Sequence, residues 1–562
     1  MLVVLFGLAV LLPASGVAAK PITLLLFVTQ DLPVLPLFAL ATLARASVNA
    51  ASHSSAVPKS PAAPWWLLLV AASAVLILCW SGRYIVFQGY DLSRDEQMAV
   101  FDAAIFSNAR LFWPVAAEWQ STARALNQDF MLSLPGDSFW VSSYLPVHAA
   151  IRAFIGKFAD PALTSPLFVV LGALSLWRIG TRLWPDESDS RLVALLLYLC
   201  SSQVLISGMT SFSMSAHLGL NLLWLALFLH GGRIGHLGAI TTGFLATGLH
   251  QPLFHPLFVL PFLDMLRRQR RWRTLAFYLI AYGAIGLFWL AWPVWLVDRA
   301  AELAGAYAPS SAQVGFIARL RALLEPFDGE SLWLMTVNLL RFVTWQHLLL
   351  VPLAIFGLFA CRRTEPLVMP LAMGLLLPIL VMAALLPWQG HGWGYRYLQP
   401  VLGNACILGA YGWQALRQRG LAVRRQVLWA SAASVLLLFP LHAFMAYRVA
   451  APYVRLDRLI AATPASVVIV DDGGAPYARD LVFNLPDLSN RPIRIAGSVT
   501  SPSAMEGICR GGSIAFLDAP QLHAISALYG LKPFAKPTPE HLELKSAAMA
   551  AGCDVVDLPI VG

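Results

Sequence analysis

Apolar runs of about 15 to 23 residues recur from the first residues to about 447, and each is near the ~20 residues that an α-helix needs to cross a bilayer. A soluble chain of 562 residues would be cut into several cores and would carry about 25% charged residues, whereas this one carries 12%, with 58% hydrophobic residues and 19 Trp. Most of its surface therefore faces hydrocarbon. The sequence reads as an all-α polytopic membrane protein of about 11 to 13 transmembrane helices, followed by a small C-terminal α/β domain.

The net charge of +9 does not call for nucleic acid. From Arg448 onward there are 10 basic and 11 acidic residues, against 29 and 19 before it, so the basic excess lies among the apolar runs. It concentrates in short loops, such as Arg267, Arg268, Arg270, Arg271 and Arg273, or Arg417, Arg419, Arg424 and Arg425. Basic short loops mark the cytoplasmic side. With 267–273, 361–365 and 417–425 inside, parity puts the loop 82–144, the region 297–343, the segment 391–397 and the residues after 447 outside.

Three regions follow from this pattern. Residues 1–63 read as an N-terminal hydrophobic hairpin and linker, with a signal peptide as the alternative for 1–18, although no positive segment precedes it. Residues 64–447 form the transmembrane module, with expected spans at 65–81, 162–181, 192–208, 214–230, 236–250, 252–266, 274–296, 344–360, 366–387, 397–414 and 427–447. The pair 236–250 and 252–266 meets at His250-Gln251-Pro252, a break of the kind that lines cavities. Residues 145–157 fit either a partial span or a surface helix. Residues 448–562 read as an extracytoplasmic α/β domain, with strands at 467–470, 493–495 and 513–516 and helices at 521–529 and 539–551. Its Cys509 and Cys553 are the pair that invites a disulfide; two buried thiols are the alternative.

The outer loop opens Tyr90-Asp91-Leu92-Ser93-Arg94-Asp95-Glu96-Gln97, three carboxylates in a chain poor in charge. A carboxylate at the rim of an apolar cavity has a raised pKa and suits general-base work; a solvated helix start is the structural alternative. His217, with Asn221 four residues on, and His250, Gln251 and His255 are neutral groups able to hydrogen-bond a sugar or phosphate, or to serve as core residues. Gln389, His391, Trp393, Tyr395 and Arg396 crowd another outer loop, where Arg396 at a span entrance suits a lipid phosphate. No compact metal motif is present, and a scattered divalent-ion site stays open.

The run Asp95-Glu96-Gln97, then Arg110-Leu111, then Gly136 to Pro146 with Tyr144, resembles the first extracytoplasmic loop of the GT-C membrane glycosyltransferases. That superfamily includes the protein O-mannosyltransferases and the lipid A aminoarabinose transferases. Its late Arg-Tyr element with a following Pro is matched by Tyr395-Arg396-Tyr397-Leu398-Gln399-Pro400. The likeness covers about 65–447 in order and hydropathy. It departs where Ser143 stands in place of the family's frequent Lys, and where Leu145-Pro146-Val147 replaces Pro-Pro-Gly. The resemblance implies a multi-pass protein of the inner membrane and cell envelope that moves a hexosyl or pentosyl group from a polyprenyl-phosphate donor to a lipid, glycan or protein hydroxyl, with inversion. It implies Asp95 as the base, with Asp91 as the alternative in the same loop and Glu96 beside them, and Arg396, Tyr395, Tyr397 and Tyr144 as substrate-binding groups; His250, Gln251, His217 and His391 join the substrate-binding groups on the reading of the residues above. A lipid or glycan transporter, or a non-catalytic glycan-binding protein, are the rival readings; a transporter predicts related halves, and no repeat is visible.

Overall fold

The computed structural model describes residues 2–17, 20–46, 65–127, 129–132, 134–305, 328–421, 423–510 and 512–558. The linker expected at 45–63 and the centre of the region 297–343 lie largely outside the described residues. Among the described residues, five helices are long and apolar enough to cross a membrane: Trp66–Ile85, Pro161–Leu183, Trp272–Ala304, Val368–Leu385 and Arg424–Ala461. The chain is an integral membrane protein. Other expected spans fold as shorter helices, among them Met214–His230 and Leu350–Cys361.

Two compact units emerge. The helical unit comprises the described parts of 1–85, 160–290 and 320–445. Helices Leu350–Cys361 and Leu402–Gln418 meet at glycines: a Cβ on Gly412 would stand 2.0 Å from the Leu353 carbonyl oxygen, and one on Gly357 2.1 Å from that of Leu408. Small residues let backbones approach this closely where lipid supplies no hydrophobic drive for association. The first hairpin belongs to this unit. Leu2–Ala14 packs on Gly329–Thr344, where the Trp333 indole donates to the Ala9 carbonyl at 2.7 Å over a core with Phe27 and Leu334.

Expected and observed boundaries differ where polar residues cap or extend a helix. The run 192–208 is interrupted at Cys200–Ser201, where the Ser201 hydroxyl accepts from the Val204 amide and starts a new short helix, Ser202–Ser207. The region 297–343 is helical on both flanks of its undescribed centre: Trp272–Ala304 runs through its start, and most of Gly329–Thr344 is buried. The last long helix carries on through the composition shift near 447 to Ala461.

The mixed unit comprises the described parts of 86–159, 291–319 and 446–562. At its centre lies a parallel sheet of order β4-β3-β5-β6, with β3 Val467–Val470, β4 Ile493–Ala496, β5 Ile514–Leu517 and β6 Val555–Val556. Uninterrupted β-branched and apolar runs are what a parallel sheet covered on both faces requires. Helix Pro539–Ala550 covers it through Leu544 and Ala548, and the Cys509–Cys553 disulfide is formed. The expected strands match. Less visible in the sequence is that the loop 82–144 folds onto this sheet: Phe101, Trp119 and Trp140 share one apolar core with Ile469, Ile495 and Phe516. Within that loop, β1 Trp113–Pro114 and β2 Phe139–Trp140 pair antiparallel. Residues 145–157 resolve as helix Val147–Gly156, packed on helix Arg94–Ser107 through Ala103, Ala149 and Ala153.

Candidate active site

In the mixed unit the carboxylate segment is a helix start. The Ser93 hydroxyl accepts from the Glu96 amide at 3.4 Å, and Asp95 and Glu96 occupy the first turn, where the helix end favours negative charge. This turn is not solvated: Arg94, Glu96 and Gln97 are buried, and Asp91 and Asp95 are half-buried. Buried polar groups on this scale demand partners. The Arg94 guanidinium donates to the Val482 carbonyl at 2.7 Å and to that of Arg479 at 3.2 Å, while the Gln97 amide donates to the Asp480 carbonyl at 2.7 Å and the Tyr90 hydroxyl to the same oxygen at 2.8 Å.

The far end of the outer loop returns to this turn. The Tyr144 hydroxyl donates to a carboxylate oxygen of Asp95. About two turns further along the helix, Asp102 accepts from the Ser142 amide at 2.9 Å and the Ser142 hydroxyl at 2.5 Å. Burial pushes the Asp102 carboxyl up to about 7, against the lowering effect of those two hydrogen bonds. Asp480 is also pushed up to about 7, chiefly by burial, with the charge of Arg94 opposing and those of Asp129 and Asp95 adding to the rise. Burial in turn lowers the Arg94 pKa, an effect that Asp480 and Asp129 oppose. Arg479 bridges Asp129 at 3.5 Å and Asp472 at 3.1 Å. The result is a dense, mutually compensating set of charges beside Asp95, able to hold a carboxylate in place.

In the helical unit, the segment 388–396 is shaped by Gln389. Its amide donates to the Gly394 carbonyl at 2.9 Å and its carbonyl accepts from the Arg396 amide at 3.2 Å. Gly394 has φ +65°, and a Cβ there would meet Gln203 at 2.8 Å, so both conformation and space require glycine. Arg396 is half-buried, its guanidinium carbon 5.2 Å from the ring centroids of both Phe212 and Tyr397. Tyr397 stacks on Phe254 at 5.9 Å, and His217 meets the same Phe254 edge-on at 5.4 Å. Arg396, Tyr397 and His217 thus lie in one aromatic cluster, which Tyr395 joins through Tyr397 at 5.9 Å. His391 and Tyr395 are buried, while His250 and Gln251 sit half-buried at the break between Gly232–Thr247 and Phe254–Arg268. His255 goes elsewhere: its ring nitrogens face Asn221 and Tyr282, each at 2.7 Å.

Among the described residues no group of three His, Cys, Asp or Glu side chains stands together as a metal site. Asp102, Asp480 and Arg94 were not singled out from sequence. Asp102 is spaced seven residues from Asp95 and so shares its helix face, a signal that was available; nothing in the sequence joins Asp480 to this turn.

No protein-family model and no curated protein matches the chain. Several solved structures are similar to it. ArnT from Cupriavidus metallidurans, bound to undecaprenyl phosphate, shares 14% identity over 76% of this chain and 86% of its own, with a TM-score of 0.49. The Archaeoglobus fulgidus oligosaccharyltransferase in its apo form shares 11% over 87% and 69%, at 0.42. The mycobacterial arabinofuranosyltransferase AftD shares 18% over 74% and 30%, at 0.38.

Proposed function

We propose that the chain is a membrane glycosyltransferase of the GT-C type, which transfers a sugar from a polyprenyl-phosphate donor to an acceptor hydroxyl on the extracytoplasmic face, with inversion. The observation that carries this reading is the Tyr144 hydroxyl donating to Asp95, because it joins the two ends of the outer loop at one carboxylate. A phenol donor stabilises the ionised carboxylate and fixes its orientation, as a positioned general base requires.

In the proposed reaction Asp95 removes the acceptor's hydroxyl proton as the oxygen attacks the anomeric carbon. The bond from that carbon to the phosphate oxygen breaks, and polyprenyl phosphate leaves. Arg396, held in its aromatic cluster, is assigned to the donor phosphate, where a guanidinium offers paired donors to an anion. Asp91 and Glu96 are companions in the same turn, and His217, His250, Gln251, Tyr395, Tyr397 and His391 are assigned to the substrates.

The test is a transfer assay on the purified chain in nanodiscs with a panel of polyprenyl-phosphate sugars. Asp95→Asn is expected to lower the rate by ~10²–10⁴-fold while donor binding persists, since only the transition state needs the proton moved. Arg396→Ala is expected to weaken donor binding itself, because the phosphate is anionic before any chemistry. Near-normal transfer by Asp95→Asn, Asp91→Asn and Glu96→Gln alike would refute the mechanism.

A further inference from the structure

Beside the Asp95 turn the mixed unit contains a cavity of about 270 Å³, bordered by Tyr90, Asp91 and Gln97 at the start of helix Arg94–Ser107, by Asp457 and Arg458, and by the segment from Phe483 to Arg494. Small-molecule clefts run from about 300 to 1,000 Å³, so this one is sized for a single sugar ring rather than a chain.

Its chemistry narrows the ligand further. Arg458, Arg491 and Arg494 face Asp91 and Asp457 around the wall. Arg494 donates to Asp457 at 2.6 Å, which neutralises that pair. Arg491 is fixed at the wall by donation to the Leu488 carbonyl at 2.5 Å and that of Asn490 at 2.8 Å. Arg458 is exposed and makes no side-chain hydrogen bond among the described residues. Arg458 and Arg491 are therefore left with no carboxylate partner among the described residues, an arrangement that favours an anion.

Gln97 supplies the third constraint. It is 2% exposed, its amide nitrogen is committed to the carbonyls of Asp91 and Asp480, and its Oε1 is buried with no hydrogen-bond partner. A buried acceptor of this kind is costly unless a donor arrives, and a ligand hydroxyl is such a donor. Tyr90 and Phe483 add aromatic surface to the same wall, on which the C–H face of a pyranose packs. Inorganic phosphate has a use for the guanidiniums but none for the aromatic wall, and a neutral sugar has the reverse.

We propose that this cavity binds one sugar ring of the acceptor, and that the ring carries an anionic substituent, phosphate or carboxylate, held by Arg458 and Arg491 while Gln97 accepts from a hydroxyl. The assignment of this ligand as the acceptor rests on the transferase reading above, with Asp91 on the cavity wall and Asp95 one turn along the same helix start.

The experiment is isothermal titration of the full-length chain in nanodiscs with glucose 6-phosphate, glucuronate, glucose and inorganic phosphate. At least one of the two anionic sugars is expected to bind about tenfold or more tightly than either glucose or inorganic phosphate, and which of the two it is distinguishes phosphate from carboxylate. Arg458→Ala and Arg491→Ala should each weaken that binding about tenfold or more, and Gln97→Met should weaken it too, while Arg510→Ala, an exposed arginine paired with Glu506, should leave it unchanged. Because Arg458 is exposed, its variant tests the site without disturbing the fold. Absence of binding, equal binding of inorganic phosphate, or full binding by Arg458→Ala would overturn the cavity assignment. The transfer assay on the unmutated chain separates the two readings: binding in a chain that transfers no sugar from any donor of the panel leaves the cavity standing and sinks the transferase. Normal transfer by Arg458→Ala with an unchanged acceptor KM would sink only the acceptor assignment.

Discussion

Asp95 illustrates what single residues reveal and hide. Its membership of an acidic cluster is plain in the sequence, but a solvated helix start and a catalytic carboxylate have the same sequence, and only burial and partners tell them apart. One partner is Tyr144, and it yields a sharper test than removing the acid. Tyr144→Phe keeps the ring's contact with Phe130 and deletes only the donated hydrogen bond, so transfer is expected to fall by roughly tenfold with the fold intact, measured as kcat against thermal midpoint. A loss of stability equal to that of Tyr144→Ala would make the hydroxyl structural. Asp480 and Asp102 carry a second prediction. Both carboxyls are raised by burial to about 7, well above the ~3.9 of an unfolded aspartate, so between those values the folded chain holds protons that the unfolded chain has released. Stability contributed by these groups is therefore complete below about pH 4 and is lost as pH rises toward 7, with a slope on the order of 1 kcal/mol per pH unit for each. Asp480→Asn should flatten that slope in a series of melts from pH 4 to 8; an unchanged slope would place the titration elsewhere.

At the level of elements, hydropathy located most helices because a bilayer enforces length and apolarity, but it could not see the polar contacts inside the apolar regions. The π-helical turn Phe27–Asp31 and the helix Gly329–Thr344 show this. Asp31 and Arg341 are both fully buried and stand 3.2 Å apart; Asp31 also accepts from the Thr344 hydroxyl at 2.8 Å and the Trp345 indole at 3.2 Å. Each residue, read alone, lies in or beside an apolar run, and no spacing rule links positions 310 residues apart in sequence. The Arg341 guanidinium also donates to the Gly392 carbonyl at 2.8 Å, so the hairpin and the 388–396 segment depend on one side chain. Removing one member of a buried ion pair leaves the other uncompensated and costs about 3–5 kcal/mol, whereas replacing both with apolar groups of similar volume is often tolerated. Arg341→Met is thus expected to lower the thermal midpoint more than the double variant Asp31→Leu with Arg341→Met. Equal destabilisation by the single and double variants would show that the hydrogen bond to Gly392, rather than the charge pair, holds these elements.

For the whole molecule, the β-branched runs that follow the composition shift near residue 447 became the strands of the sheet. What the sequence did not show is that residues 86–159 belong to the same core, because Phe101 and Trp140 meet Ile469 and Phe516 only through tertiary packing that no local period encodes. One consequence is that the outer loop and the C-terminal sheet must share a side of the membrane, whichever side that is. The arginine-rich loops at 267–273 and 417–425 argue for the extracytoplasmic side, by the rule that short basic loops stay in the cytoplasm. The Cys509–Cys553 disulfide argues the same way, since such bridges persist in oxidising compartments. The two arguments are independent, one resting on insertion and the other on redox chemistry. Cysteine labelling checks them with little background, because the free cysteines Cys79, Cys200, Cys361 and Cys406 are all buried. In intact cells a membrane-impermeant maleimide is expected to label Ser503→Cys, an exposed position in the mixed unit, and to spare Gln269→Cys in the basic loop until the membrane is opened. The reverse pattern would invert the topology, put the proposed carboxylate site in the cytoplasm, and remove the basis for a donor presented at the outer face.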